Sequence, residues 1–454
     1  MKFRKFGKAL MMGALSVGAL FSVTSCVQSY TVGFLYVTGT QTTGTNGSPG
    51  HGIISGFKID HNTGFLKPIN GLPTTSGGAN PSRAVLTVGS RFVYVLNQGT
   101  DASGGDNCTS AASPCSGANI TQFAVGGNGI LTQQQQFVSQ GDNPRRLLAD
   151  STGNFIFVLD HDAPDPTTCA LALGPNVKTC GDITVFKIDQ STGRLSLVVN
   201  AQVTSASGQP LAYFPVPPAP IDFLLNGSFM LTLSGTPATG DFAFPYAFNP
   251  GSGQLTISQN GVQPLNIFEG TAIQQGNGSI YVLDNEPVTI SSGSVFAAGT
   301  YPAQVLPYSI GTGGALQAQT GGPVPIDPTQ SNPLFLLAES KGKWVYVANT
   351  GDNANQNNPQ SGINGFAIDP GTKQLTPMSG SPFGSAVGIG AGPQCLVEDP
   401  SNQFIYTANF NSSSVTGVSV DQNNGVLRPL PGKANQAFPL VGPAAFCLVN
   451  GRTS

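Results

Sequence analysis

One short pattern constrains this 454-residue chain more than anything else in it: an aromatic-x-Tyr-Val run that ends in a polar turn. It reads "KWVYVANTGDN" at 343 and returns as "FLYVTGT" at 34, "FVYVLNQGT" at 92, "FIFVLDHDA" at 155, "FMLTLSGT" at 229, "SIYVLDNE" at 279 and "FIYTANFNS" at 404. Each copy alternates apolar and other residues over about five positions, the period of a strand. A second element follows every copy, as in "ISGFKIDHNTGFL" (54), "DITVFKIDQSTGRL" (182) and "SVTGVSVDQNNGVL" (414). Its Asp/Asn and Gly centre supplies the positive φ that a tight hairpin needs. A third element precedes the copies: "NPSRAVLTV" (80), "NPRRLLAD" (143), "APIDFLL" (219), "GTAIQQ" (270), "NPLFLLAE" (332) and "GPQCLVED" (392). Its seventh copy, "GPAAFCLVN" at 442, has no Tyr-Val strand after it, and the Tyr-Val strand at 34 has no such element before it.

These two orphans complete one another. Pairing them closes a ring and removes the exposed sheet edge. The reading is all-β: a seven-bladed β-propeller of four-stranded antiparallel blades over residues 34–450, closed by pairing of the C-terminal strand with the N-terminal strand. The Tyr-equivalent positions, 36, 94, 157, 231, 281, 346 and 406, are widely spaced for four-stranded blades, and the surplus is assigned to loops. From the axis outward the strands are the Asn-Pro element, the Tyr-Val run and the two arms of the hairpin. The turns between first and second strands and between third and fourth strands then share one face. The loops between second and third strands share the other, and the long ones are 98–118, 162–181, 286–303 and 350–361. Long loops on a rigid scaffold are where binding resides. In this frame Asn349 of the opening motif is a turn former.

The N-terminus reads as an export signal. Lys2, Arg4, Lys5 and Lys8 precede the apolar run "ALMMGALSVGALFSV", and "VTSC" resembles a bacterial lipobox. Residues 1–25 are thus read as a lipoprotein signal peptide, Cys26 as the lipidation site and 26–33 as a lipidated tether. Val27 after the cysteine leans the protein towards the outer membrane, facing the periplasm or the cell surface. No later apolar run reaches spanning length, so the membrane is met through the lipid anchor only. An oxidising compartment suits the remaining cysteines. Cys108 with Cys115 and Cys169 with Cys180 each close a short local loop. Cys395 and Cys447 are left open between a bridge and two reduced buried thiols. Charged residues are only 9% and the net charge is -3, with no basic stripe, so nucleic acid is excluded as a partner. Such scarcity of charge suits an acidic habitat.

With Tyr346-Val347-Ala348-Asn349-Thr350, and Tyr-Val-x-Asn again at 94–97, the chain resembles propellers with YVTN-type repeats. The unit "GPQCLVEDPSNQFIYTANFNSSSVTGVSVDQNNGVLRPL" resembles the bacterial lactonase family of seven-bladed propellers, the 6-phosphogluconolactonase-like group. The resemblance covers nearly all of the chain after the signal. It implies hydrolysis of a sugar lactone by polar residues near the axis on the loop-rich face. Family members often carry His after the Gly-Pro or Asn-Pro turn. Here those slots read Ser82-Arg83, Arg145-Arg146, Ile221-Asp222, Ala272-Ile273, Leu334-Phe335, Gln394-Cys395 and Ala444-Ala445, none with histidine.

The slots nonetheless carry chemistry. Arg83, Arg145 and Arg146 start neighbouring inner strands, and guanidinium forks bind carboxylates or polarise a lactone carbonyl. With Gln394 they are the candidate ligand-binding residues, against the plainer reading of ion-paired channel arginines. Asp222 and Glu269 are candidate general bases, or structural partners of those arginines. His161, in "LDHDAPD", is the histidine placed for acid-base work, with His51 a weaker second. Asp150, Glu339, Glu398 and Asp399 belong to tight turns and are set aside. No phosphate cradle, Ser-His-Asp set or GxSxG elbow is visible, no cysteine spacing is CxxC, and 351–358 lacks calcium-loop spacing. Neither cofactor nor metal is expected. Two functions stand: a lactonase-like envelope protein taking a small lactone or sugar acid at the axial mouth, or a non-catalytic propeller binding an envelope polysaccharide or protein through its long loops.

Overall fold

The computed structural model describes residues 30–41, 51–87, 89, 91–101, 108, 114–236, 239–258, 260–265, 267–285, 288–290, 299–351, 361–432 and 436–451. The signal peptide, Cys26 and most of the 351–358 segment lie outside these residues. Within them seven antiparallel sheets follow one another in a ring, with a small extra hairpin of Val288–Ile290 and Gly299–Tyr301. The innermost strands are Pro81–Leu86, Asp142–Ala149, Pro220–Asn226, Gly270–Gly276, Pro333–Ala338, Pro393–Glu398 and Ala444–Gly451, and each touches the next around the axis. The last of them closes the ring against Thr31–Thr40, in register from Gly33 opposite Gly451 to Gly39 opposite Ala444. Cys395 and Cys447 form a disulfide across this junction, joining the inner strands of blades 7 and 1. Cys108–Cys115 and Cys169–Cys180 are bonded as expected.

The core is divided into seven wedges, one between each pair of neighbouring blades. The second strands, such as Phe92–Asn97 and Trp344–Asn349, are therefore buried on both faces rather than one. That explains why Tyr-Val runs are so uniformly apolar. A recurrent clasp ties four of the wedges, those of Tyr36, Tyr94, Tyr346 and Tyr406. The Tyr36 hydroxyl donates to the Gly129 carbonyl in the hairpin turn of the next blade (2.8 Å), Tyr346 to Gly425 (2.7 Å), and Tyr406 to Gly64 (2.7 Å), the last contact joining blade 7 back to blade 1. The aromatic residue two positions before each tyrosine lies on the same turn. A Cβ on Gly64 would come within 2.5 Å of the Phe404 ring, and one on Gly425 within 2.8 Å of Trp344. These turn glycines also have positive φ, 67° and 75°. Blade 6 has Lys373 at the turn position, with φ 62°, and it faces the second strand of blade 5, where Ser279 replaces the aromatic.

Three readings change. Asn349 is not a turn former. It is the fully buried last residue of its strand, and its amide donates to the Gly362 carbonyl (3.3 Å) and the Asn364 side chain (2.8 Å). Asn97 likewise ties Ser76, Asn119 and Thr121. The surplus length per blade is not all loop. In five blades a second short segment pairs with the upper half of the third strand, as Thr74–Ala79 does with His51–Asp60. The 162–181 loop contains a short helix, Thr167–Leu173, pinned by Cys169–Cys180 above Val203, Leu211 and Tyr213. The turn acids do what the sequence implied: Asp150 accepts the N–H groups of Thr152 and Phe155, and Asp399 those of Ser401 and Phe404.

In blade 3 the position of that buried Asn is Asp160, and it stands directly opposite Asp182. Both are fully buried, and the Thr184 hydroxyl lies between them, 3.2 and 3.3 Å from their carboxylates. Burial pushes both carboxyls well up, and each raises the other or is raised by neighbouring acids. Asp241, buried beside Asp284 and Glu269, is raised to about 7, and burial raises Asp284 as well.

Raised carboxyls bind protons more tightly folded than unfolded. Their contribution is complete below the ordinary carboxylate pKa of about 4 and is lost as pH climbs through the folded value. Exposed turn carboxylates held low, Asp189, Asp369 and Asp421, act oppositely, but only below that range. The urea midpoint should therefore be higher at about pH 5 than at about pH 8; a midpoint that rises with pH would contradict this account. For the clasp, Gly425→Ala should cost roughly 2–4 kcal/mol in urea unfolding, while Lys373→Gly stays within about 1 kcal/mol of the parent. Removing the ring-closing disulfide, Cys395→Ala with Cys447→Ala, should cost about 4 kcal/mol for its 52-residue separation.

Candidate functional site

The Asn-Pro signature of the inner strand has a mechanical reason. Asn80, Asn143 and Asn332 all sit at positive φ, between 50° and 57°, a conformation that Asn tolerates. The Asn80 amide donates to the Gly99 carbonyl and the Asn332 amide to the Gly351 carbonyl, fastening the strand entry to the end of the second strand. A β-bulge follows at once. Pro81 pairs with Asn97 and Arg83 with Leu96, leaving Ser82 as the extra residue, and the same slip occurs in all seven blades. Bulges re-aim the side chains beside them. Here they set one ring of residues at a common level: Phe446, Arg83, Arg146, Asp222, Ala272, Phe335 and Cys395. The slots in blades 5 and 1 are thus Thr271-Ala272 and Ala445-Phe446, one residue away from the sequence alignment.

All of this ring except Cys395 lines a cavity of about 200 Å³ between the inner strands. Arg146 and Asp222 form an ion pair there, Nε to Oδ1 at 3.2 Å, with 18% and 15% of their side chains exposed. The other Asp222 oxygen accepts the Ile273 N–H at 3.0 Å. Arg146 also donates to the Arg145 carbonyl (3.1 Å). Arg83 has no carboxylate partner among the described residues. Its guanidinium donates to the Ser82 carbonyl (2.9 Å) and lies 4.9 Å from the centre of the Phe446 ring. Burial lowers its pKa to about 9; the charge of Arg146 adds to the shift, and that of Asp222 opposes it. It remains a cation at neutral pH.

Arg83 also lines a second, wider cavity of about 460 Å³, the mouth on the loop-rich side, with Asn80, Gln98, Gln394, Phe410 and Ala445 among its walls. The structure thus brings together Arg83, Arg146, Asp222 and, at the mouth, Gln394. The other expected residues stand elsewhere. Arg145 is a bulge residue and reaches the Cys108 carbonyl at 3.4 Å, and it lines neither cavity. Glu269 precedes its strand and packs with Asp241 and Asp284 between blades 4 and 5. His161 lies at the end of the second strand rather than after it, with Nδ1 3.0 Å from Asp162 Oδ2, and it lines neither cavity. Phe446 and Phe335, whose rings stand 6.1 Å apart, wall the Arg83 side and were missed. The inner-strand alignment pointed at both slots, and a correct bulge count would have found Phe446.

A family description, lactonase, 7-bladed beta-propeller, matches residues 51–170 and 305–440, more than half of the chain. No curated protein matches the sequence. Among solved structures, a putative 6-phosphogluconolactonase from Bacteroides fragilis is similar at a TM-score of 0.62 and 16% identity, over 92% of this chain and 98% of its own. The periplasmic gluconolactonase of Pseudomonas aeruginosa is similar at 0.62 and 17%, over 93% and 99%. Identities this low carry the fold and not the activity. The matched segments span both sides of the ring, and with the seven sheets and their closure they make this chain a member of the seven-bladed β-propeller lactonase family.

Proposed function

We propose that the protein is an exported, lipid-anchored member of that family that takes a small sugar lactone, or the sugar acid it opens to, at the axial mouth. One observation carries the reading: Arg83 is the side chain shared by the mouth and the channel, and it is a cation with no carboxylate paired to it among the described residues. In a site poor in water, a guanidinium stabilises the oxygen on which charge develops when water attacks a lactone carbonyl. It holds the product carboxylate equally well by paired N–H bonds. Gln394 and Gln98 are amides suited to orienting the sugar hydroxyls. Asp222 neutralises and positions Arg146. As the carboxylate among the described channel residues, it is also where the proton of the attacking water would go, and from which that proton would pass to the ring oxygen released as the acyl C–O bond breaks. Glu269 and His161 have no role in this scheme.

The envelope location rests on the lysine-rich start, the apolar run and Cys26, and three disulfides fit an oxidising compartment. The similar Pseudomonas aeruginosa protein is described as periplasmic, which agrees with this setting.

A panel of five- and six-membered sugar lactones, followed by acid release, tests the activity. Arg83→Ala should lower kcat/KM by about a hundredfold or more. Arg146→Ala should leave Asp222 unpaired and impair turnover as well. Inhibition by the product acid should weaken as pH rises through about 9, where Arg83 loses its proton. Turnover of no lactone, with no sugar acid binding, would overturn the reading.

A further inference from the structure

We propose that Lys58 and Lys67 form a binding site for the phosphate of an anionic lipid headgroup, and that it seats the propeller on the membrane with its mouth turned away. The membrane setting rests on the anchoring reading above; the site itself does not. Lys58, in His51–Asp60, stands directly opposite Lys67, in Leu66–Pro68. Like charges in that relation repel. The same register elsewhere holds Lys187 with Ser196, Ala367 with Thr376, and Ser419 with Arg428. Arg428 is answered by Asp421 at 3.0 Å. Among the described residues neither Lys58 nor Lys67 has a carboxylate within ion-pair distance. Instead they border a cavity of about 210 Å³ completed by Asn70, Asn128, Ile69 and Ile130, between the outer edge of blade 1 and the hairpin turn of blade 2. An anion seated there removes the repulsion and meets ammonium donors on two sides, with amide groups beside them.

The location selects the source of the anion. Thr31 pairs with Asp60, where the hairpin turn begins, so the chain enters the propeller on the tight-turn face, level with the lysines. Cys26 lies five residues upstream, a reach of at most about 18 Å. A membrane holding Cys26 is therefore close to this face, whereas the mouth lined by Arg83 and Gln394 opens at the opposite end of the inner strands. Further cations, Arg91, Lys341, Lys343 and Lys373, occupy tight turns of the same face. Several of its carboxylates are engaged by turn backbone: Asp60 accepts from Asn62 and Thr63, and Glu339 from Lys341 and Trp344. A lysine beside an anionic membrane surface contributes about 1 kcal/mol, so the pair corresponds to about 30-fold in partitioning.

Vesicle flotation of the full chain tests this, comparing phosphatidylcholine alone with phosphatidylcholine containing phosphatidylglycerol. Lys2, Arg4, Lys5 and Lys8 of the leader favour the anionic vesicles equally in wild type and variant, so the change in the ratio of partition coefficients between the two chains isolates the site. We expect the preference for the anionic vesicles to fall about 30-fold in Lys58→Gln/Lys67→Gln, with circular dichroism unchanged. A wild-type chain without preference, or a preference that the substitutions leave unchanged, overturns the proposal. Calorimetry with inorganic phosphate separates the sources: phosphate binding lost in the variant, without vesicle preference, would make this a free-anion site and reject the lipid. The mass of the N-terminal peptide reads acylation of Cys26 independently, so failure of the anchor and failure of the site are distinct results.

Discussion

The structure depends on how one flat blade grips the next. A sheet twisted like these presents two apolar faces, and neither is complete alone. The grip is an aromatic ring laid on a glycine turn, with a tyrosine hydroxyl two residues on donating to that glycine's carbonyl. Apolar burial supplies most of the energy. The hydrogen bond adds only about 1 kcal/mol net, but it is directional, so it fixes the height of each blade against its neighbour. Where the grip changes, both partners change: Ser279 lacks the ring, and the turn it faces has Lys373 rather than glycine. Blades 3 and 4 have Phe157 and Leu231 in the tyrosine slot; in the wedge between these two blades, where Phe157 lies, Tyr246 takes over by donating to the Pro215 carbonyl.

Because the grip fixes blade height, the seven bulges fall at one level, and the channel chemistry is decided by what occupies a single ring. That ring is lopsided. Arg83, Arg146 and Asp222 occupy three consecutive blades, while Ala272, Phe335, Cys395 and Phe446 make the rest apolar. The disulfide from Cys395 to Cys447 lies beside the ring and covalently secures the junction at which the chain ends meet. A site on strands held this way is positioned by the scaffold rather than by loop order.

The fold was legible because its signals repeat, and each of seven copies corrects the others. Arg83, Arg146 and Asp222 were legible for the same reason: the Asn-Pro turn marks where an inner strand starts. What failed was anything that breaks the period. The bulge adds a residue, so neighbours such as Arg145 and Arg146 cannot be assigned to opposite directions by simple alternation, and the slots of blades 5 and 1 slipped by one. Asn349 resembled a turn residue because Asn usually is one; its burial depends on the third strand and its Asn364 side chain, which no local pattern announces. His161 is engaged by Asp162, a local pairing, yet its distance from the axis is a property of the blade.

The charge balance of the ring argues for what belongs above it. Among the described residues, two guanidinium groups and one carboxylate leave a net positive charge in a channel whose remaining walls are apolar except for Gln274. Asp222 is committed three times, to Arg146 and to the N–H groups of Phe223 and Ile273, so it cannot also turn to Arg83 without giving up a bond. Arg83 is left with a backbone carbonyl and the face of Phe446, partners too weak to offset the loss of water around a cation. Its lowered pKa is the measure of that shortfall. An anion, or an oxygen becoming one, arriving from the mouth would restore the balance without moving any strand. A neutral glycan gains little from such a site, and a second cation is repelled. On the proposed reading, the same arithmetic that makes Arg83 costly would make it selective for an acyl oxygen.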